Sequence, residues 1–217
     1  MTDGFSPELA PLIEGYRRFR ETRWNSNRER WQQLREGQSP QVMVIACSDS
    51  RVDPAQIFDV DPGEIFVVRN VAALVPPFET SPGHHGVSAA LEFAVQVLEV
   101  AEIVVMGHGM CGGCKVALTQ ELRGTEPGDG GFIANWISLL DDARQPIAAQ
   151  YGTEGREAGR AMEQAAVKVS LDNLRTFPCI RSKERDGKLK LRGAFFAISD
   201  GLLHLMDESS GHVHAVD

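Results

Sequence analysis

Gln41-Val42-Met43-Val44-Ile45-Ala46 is apolar from its second residue onward and stops abruptly at Cys47-Ser48-Asp49-Ser50-Arg51. A second run, Glu64-Ile65-Phe66-Val67-Val68-Arg69, follows the turn Asp61-Pro62-Gly63. A third, Ile103-Val104-Val105-Met106, ends in Gly107-His108-Gly109. None of the three alternates apolar with polar residues, so each predicts a strand covered on both faces, as in a parallel sheet. Between the second and third, Val87, Leu91, Ala94, Val95 and Leu98 share one face of a helix predicted from His85 to Leu98. Strand, loop, strand, helix, strand, helix is the order of an α/β fold: a central, mainly parallel sheet flanked by helices.

Working outward, Lys115 to Leu122 reads as helical and Glu126–Gly131 as a surface loop. Helical pattern then runs from Gly131 to Phe177 with a break near Gly152–Gly155, clearest over Ala161–Leu174. Arg181 to Lys190 reads as a solvated hairpin surface. Leu189–Ile198, the turn Ser199-Asp200-Gly201 and Leu202–Met206 predict a C-terminal β-hairpin extension. The polar tail from Glu208 to Asp217 is expected to be loose, His212 and His214 included. Upstream, Leu9, Leu12, Ile13, Tyr16 and Phe19 recur at helical spacing, followed by Trp24, Trp31 and Leu34. One apolar stripe of that kind needs a surface to lie on. The loop Gly37-Gln38-Ser39-Pro40 separates it from the rest, giving an N-terminal helical arm over 1–36 and a single α/β domain over 37–217.

The 217 residues carry 22 basic and 30 acidic side chains, a net −8, which argues against a nucleic-acid partner. No stretch approaches about 18 consecutive apolar residues, so no membrane span is expected. The N-terminus lacks a basic start followed by an apolar run and does not read as a secretory signal. Four cysteines in a chain of this size do not make a disulfide framework. The expected compartment is the reducing cytoplasm, where cysteines more often bind metal or do chemistry.

Loops at the carboxyl ends of parallel strands gather on one edge of the sheet. The first presents Cys47, Asp49 and Arg51; the second presents His108, Cys111 and Cys114. Thiolates with an imidazole form a zinc-type set. Three ligands with one open position make a catalytic site, and four make a closed structural one. Cys111 and Cys114 alone can also be a redox pair, although that leaves His108 and the first loop unexplained. A helix beginning near Gly112 would turn Cys114 away from the site. Spacing alone leaves these alternatives open.

Cys47-Ser48-Asp49-Ser50-Arg51, followed at a distance by His108-Gly109-Met110-Cys111-Gly112-Gly113, resembles the β-class carbonic anhydrases. Asp61-Pro62-Gly63-Glu64, Arg69-Asn70-Val71-Ala72 and Ala90-Leu91-Glu92-Phe93-Ala94-Val95 extend the resemblance across roughly Gln38 to Lys115. It implies zinc-dependent, reversible hydration of CO2 to bicarbonate, with one Zn2+ per subunit. Cys47, His108 and Cys111 would hold the metal and Cys114 would not. Zinc-bound hydroxide would attack CO2, oriented by the Asp49–Arg51 dyad. Gln38, Phe66, Val71, Phe93 and Gly112 would form the substrate pocket. Phe93 stands where many plant-type members carry Tyr, which removes a hydroxyl from the pocket rim. The wall and Gln38 would come from a neighbouring subunit, so a homodimer or tetramer is expected. Some members bind inhibitory bicarbonate at a site built around a Trp three residues before the first Cys, with an Arg downstream; here Arg69 is present but Val44 stands in place of the Trp, so no such inhibition is expected. Hydrolysis of a CO2-like substrate such as CS2 or COS, and a non-catalytic zinc-stabilised module, are the alternatives.

Overall fold

The three apolar runs are strands lying side by side: β1 (Val42–Cys47), β2 (Ile65–Asn70) and β3 (Glu102–His108). The structure is a computed structural model that describes residues 4–207 and 213–216. β1 pairs in parallel with β2 on one side and β3 on the other. β4 (Lys190–Ala197) joins β3 in parallel. β5 (Leu202–Met206) and β6 (Val213–Ala215) follow antiparallel, giving the order β2-β1-β3-β4-β5-β6. The chain therefore leaves β1 to one side for β2 and returns on the other side as β3. That reversal opens a crevice beyond the carboxyl ends of β1 and β3, where ligands bind in open α/β sheets.

Two compact units divide at Ser39 and Pro40. The first contains α1 (Ala10–Phe19), a wide turn over Arg20–Trp24 and α2 (Arg28–Leu34). Trp31 stacks at a tilt on Trp24 and meets Phe19 edge-on, with ring centroids 5.0 and 6.1 Å away. None of its helical residues is buried, and Leu12 is 69% exposed.

The second unit holds the sheet and seven helices among the described residues. α3 (Pro54–Ile57) starts where Asp53 Oδ1 accepts the Ala55 and Gln56 N–H groups and Pro54 presets the backbone. α4 is Gly86–Glu92, α5 Gly112–Thr119, α6 Gly131–Ile137 and α7 Asp141–Tyr151. α8 (Arg156–Leu174) buries Ala158, Met162, Ala166, Val167, Leu171 and Leu174, a stripe at helical spacing. It lies close on the sheet: a Cβ at Gly107 of β3 would sit 2.6 Å from Val167 Cγ2. α9 is Pro178–Arg185.

The differences from the sequence expectation are local. The helix expected from His85 to Leu98 is α4 followed by a wider turn over Phe93–Val97, closed by Leu98 N–H donating to the Phe93 carbonyl five residues back. Arg181 begins no hairpin surface; Pro178 starts α9, which buries Ile180 and is tied by an Arg175–Glu184 ion pair. The tail is not loose throughout. Val213–Ala215 covers the free edge of β5, which would otherwise present unpaired backbone groups. His214 lies in that strand, and His212 lies outside the described residues.

Candidate metal centre

β1 and β3 end side by side, which places Cys47 and His108 at the mouth of the crevice. Cys111 follows at the start of α5, after Met110 in the left-handed region (φ 57°). The ligand atoms of Cys47, His108 and Cys111 lie within 4.8 Å of one another, and all three residues are buried. Cys47 Sγ is 4.0 Å from Cys111 Sγ. Two sulfurs each about 2.3 Å from a tetrahedral zinc would be about 3.8 Å apart, so the spacing fits. His108 Nδ1 donates to the Gly109 carbonyl at 2.9 Å, because a carbonyl can only accept. Nε2 is then the lone-pair nitrogen, and it is buried with no hydrogen-bond partner. A buried lone pair that makes no hydrogen bond and converges with two sulfurs is what a soft or borderline cation satisfies.

The first loop supplies the neighbouring charge. Arg51 Nε donates to Asp49 Oδ1 at 2.9 Å and Arg51 Nη2 to Oδ2 at 2.7 Å. This two-pronged grip holds the Asp49 carboxyl well below the usual carboxylate range. Arg51 Nη2 also donates to the Met110 carbonyl at 3.0 Å and so ties the two loops together. Asp49 Oδ2 lies 4.0 Å from His108 Nε2. Without metal, Cys47 is pushed up by its contact with Cys111 and by burial, and Cys111 is pushed up by its contact with Cys114 and by burial.

Behind the first loop, Arg69 donates to the carbonyls of Cys47 (2.9 Å) and Asp49 (2.7 Å) and to Asp53 Oδ2 (2.9 Å). Asn70 then staples the next turn, trading two 2.8 Å hydrogen bonds with the Leu74 backbone. That turn, with Ala72 and Ala73 at positive φ, passes so close to α5 that a Cβ at Gly113 would stand 2.7 Å from Val71 Cγ1. Trp136 Nε1 fastens it from α6 by donating to the Val71 carbonyl at 2.9 Å.

A family model described as carbonic anhydrase matches residues 42–203. The chain belongs to the β-carbonic anhydrases. Beta carbonic anhydrase 3 of Arabidopsis thaliana is 36% identical over 197 residues, covering 90% of this chain and 76% of that protein. The solved β-carbonic anhydrase CcaA superposes with a TM-score of 0.88 at 32% identity, over 98% of this chain and 93% of that one. A structure described as one of two tetrameric β-carbonic anhydrases from Sordaria macrospora gives 0.75 at 25% identity, over 97% of this chain and 98% of that one.

In this β-carbonic anhydrase the structure gathers Cys47, His108, Cys111, Asp49 and Arg51. Gly112 is the exposed first residue of α5, and Val71 packs on the same turn of that helix. Phe66 and Phe93 stack with centroids 5.9 Å apart, but elsewhere. Cys47 pairs with Asn70, and Phe66 sits four residues earlier on β2, about 13 Å along the strand. Gln38 is exposed and belongs to the first unit. The roles of Arg69 and Glu163 were not visible in the sequence. Arg69 stands in a motif that shows no contact, and Glu163 reads as one acid in an amphipathic helix.

Cys114 lies buried in α5, outside the three-ligand group, although its thiol touches that of Cys111. Cys114→Ala is therefore expected to keep zinc content and turnover within about twofold and to cost about 1 kcal/mol of stability, as a small core truncation does. Metal analysis with a CO2-hydration assay checks this; loss of zinc would make Cys114 a ligand.

Proposed function

We propose that the chain catalyses the zinc-dependent, reversible hydration of carbon dioxide to bicarbonate and a proton at the Cys47–His108–Cys111 centre. The observation that carries this reading is an ionised carboxylate, Asp49, fixed by Arg51 beside a buried two-thiol, one-imidazole cluster. Zinc held there would supply a Lewis acid that lowers the pKa of bound water and so makes it a nucleophile. Asp49 accepts the O–H of the attacking oxygen and keeps a lone pair aimed at carbon. It can only accept while ionised, and Arg51 keeps it so. Because Arg51 occupies both carboxylate oxygens, Asp49 is held by the dyad, which favours an open fourth position over ligation by Asp49 itself. Gly112 offers a first-turn N–H with no intrahelical acceptor to a bicarbonate oxygen. The three donations that Arg69 makes to its own loop support the expectation of no bicarbonate inhibition through it.

Phe66 and Phe93 supply an apolar wall for CO2, and Gln38 an amide donor, from a second copy of the chain, while Val71 lines the pocket from its own chain beside α5. Three facts support this. Phe66 is remote from its own cluster, β2 is an edge strand, and Val67, Val71, Phe93 and Val97 are exposed beside it. An apolar group of that kind marks an interface. The particle mass in sedimentation is expected to be at least twice the 23.8 kDa of one chain. An active monomer would remove the shared pocket. Among the described residues no helix is long and apolar enough to cross a membrane. The four free cysteines support a cytoplasmic location.

Stopped-flow CO2 hydration by zinc-loaded protein tests the assignment. Turnover is expected to rise from neutral to alkaline pH, because two thiolates weaken the pull of the metal on water relative to neutral ligands. No turnover, or a flat profile, would overturn it.

A further inference from the structure

Glu163 is the one buried carboxylate among the described residues, 7% exposed on the apolar stripe of α8. Its Oε1 accepts the backbone N–H of Cys111 at 3.1 Å. A buried charge is costly unless fixed donors replace its water, so its place on this stripe calls for a reason. The Cys111 backbone needs an acceptor: Cys111 is 3% exposed, and it caps α5 from an extended conformation just after the left-handed Met110. Packing backs the loop on one side only, where Cys111 belongs to a buried cluster with Cys47, Ala72, Cys114 and Met162. A cavity of about 730 Å3 opens beside it, lined by Cys111, Glu163 and Arg160 among others. On the cavity side the backbone is fixed by hydrogen bonds: Gly109 N–H donates to the Phe196 carbonyl at 3.0 Å, Arg51 donates to the Met110 carbonyl, and Glu163 accepts the Cys111 N–H. Glu163 is itself rigid: it lies one helical turn before Val167, which packs on Gly107 of β3.

We propose that Glu163 is a positioning residue of the metal centre: it fixes the Met110–Cys111 backbone so that Cys111 Sγ meets Cys47 and His108 at zinc-binding spacing. The inference rests on the three-ligand reading above. Outer partners of metal ligands set ligand orientation, and their loss costs about 10–100-fold in affinity.

The test compares the whole protein with Glu163→Leu, Glu163→Gln and Glu163→Asp, using zinc affinity by chelator competition and the thiolate-to-metal and d–d bands of the cobalt form. Glu163→Leu is expected to lose about 10–100-fold in zinc affinity and to shift the cobalt bands. In metal-free Glu163→Leu the relief of the buried carboxyl and the unpaired Cys111 N–H act in opposite directions on Tm, so the stability readout is the gain in Tm on adding zinc, which should shrink. Glu163→Gln, which keeps an acceptor oxygen at the same reach, should restore most of the loss. Unchanged affinity and bands in Glu163→Leu would overturn the proposal, as would a lower metal-free Tm with an unchanged gain on adding zinc. If Glu163→Leu does not fold, Glu163→Asp, one methylene short, should bind zinc more weakly than Glu163→Gln; equal affinities would overturn it. Cys111→Ser is the reference. If that variant holds zinc like the native protein, the ligand reading fails; if it loses zinc while the Glu163 variants do not, only this inference fails.

Discussion

Asp49→Ala is expected to lower kcat for CO2 hydration by about 10²–10⁴-fold, the range for loss of a positioned proton-handling group. Zinc content should be unchanged. Asp49 is not in the three-ligand cluster, and its Oδ2 stands 4.0 Å from His108 Nε2. Its side chain is 18% exposed at the mouth of the site, so little packing is lost. Asp49→Asn sharpens the point. The amide keeps the size and can still accept from Arg51 with its one oxygen. At the second position, however, it presents an N–H, a donor where the attacking oxygen needs an acceptor. A structural role would leave Asp49→Asn close to native, whereas an orienting role makes it nearly as slow as Asp49→Ala. Arg51→Ala should be milder, since the carboxylate stays but loses its two-pronged hold and its link to the Met110 carbonyl. Because the two residues act as a unit, the double variant should be no slower than Asp49→Ala. Stopped-flow assays with metal analysis decide it; an Asp49→Ala enzyme within tenfold of native would remove Asp49 from the mechanism.

How much of this was legible beforehand follows from the range of the forces involved. The strands could be read because a parallel sheet covered on both faces writes unbroken apolar runs into the chain. The positions of Cys47 and His108 could be read because each directly follows or ends such a run. Pairing of thiols and imidazole from two loops is a chemical constraint, and the resemblance narrowed four thiols to two. Arg69 and Glu163 were not legible in their roles because each acts on the backbone of a loop distant in sequence, 20 to 22 residues away for Arg69 and 52 for Glu163. Backbone carbonyls and amides leave no mark in residue identity. α9 and β6 were missed for a different reason. α9 is a mostly polar segment held by the one buried Ile180, and β6 is three residues long and held by pairing with the open edge of β5, so neither writes a pattern long enough to read.

Removing zinc is expected to abolish turnover and to lower Tm by about 5–10 °C against protein holding zinc at a hundredfold its Kd. Ligation at that saturation is worth about 2.7 kcal/mol, and a domain of this size shifts about 2–4 °C per kcal/mol. The dependence on pH should differ between the two forms. In the metal-free protein the thiols of Cys47 and Cys111 are both raised from an ordinary 9.0, towards about 12, by contacts with neighbouring thiols and by burial. A group whose folded pKa lies above its unfolded value adds stability that is full below the unfolded value and lost as pH climbs through the folded one. The metal-free protein should therefore lose Tm as pH rises above about 9. Zinc binds thiolates, so binding must displace both protons, and its apparent affinity grows with pH. The gap between the two Tm curves should widen on the alkaline side, unlike the constant gap expected if carboxylates, already ionised at pH 7, held the metal. Thermal melts with and without a chelator from pH 7 to 10 check this. A gap that stays constant across that range would mean that the thiols of Cys47 and Cys111 are not what zinc displaces protons from.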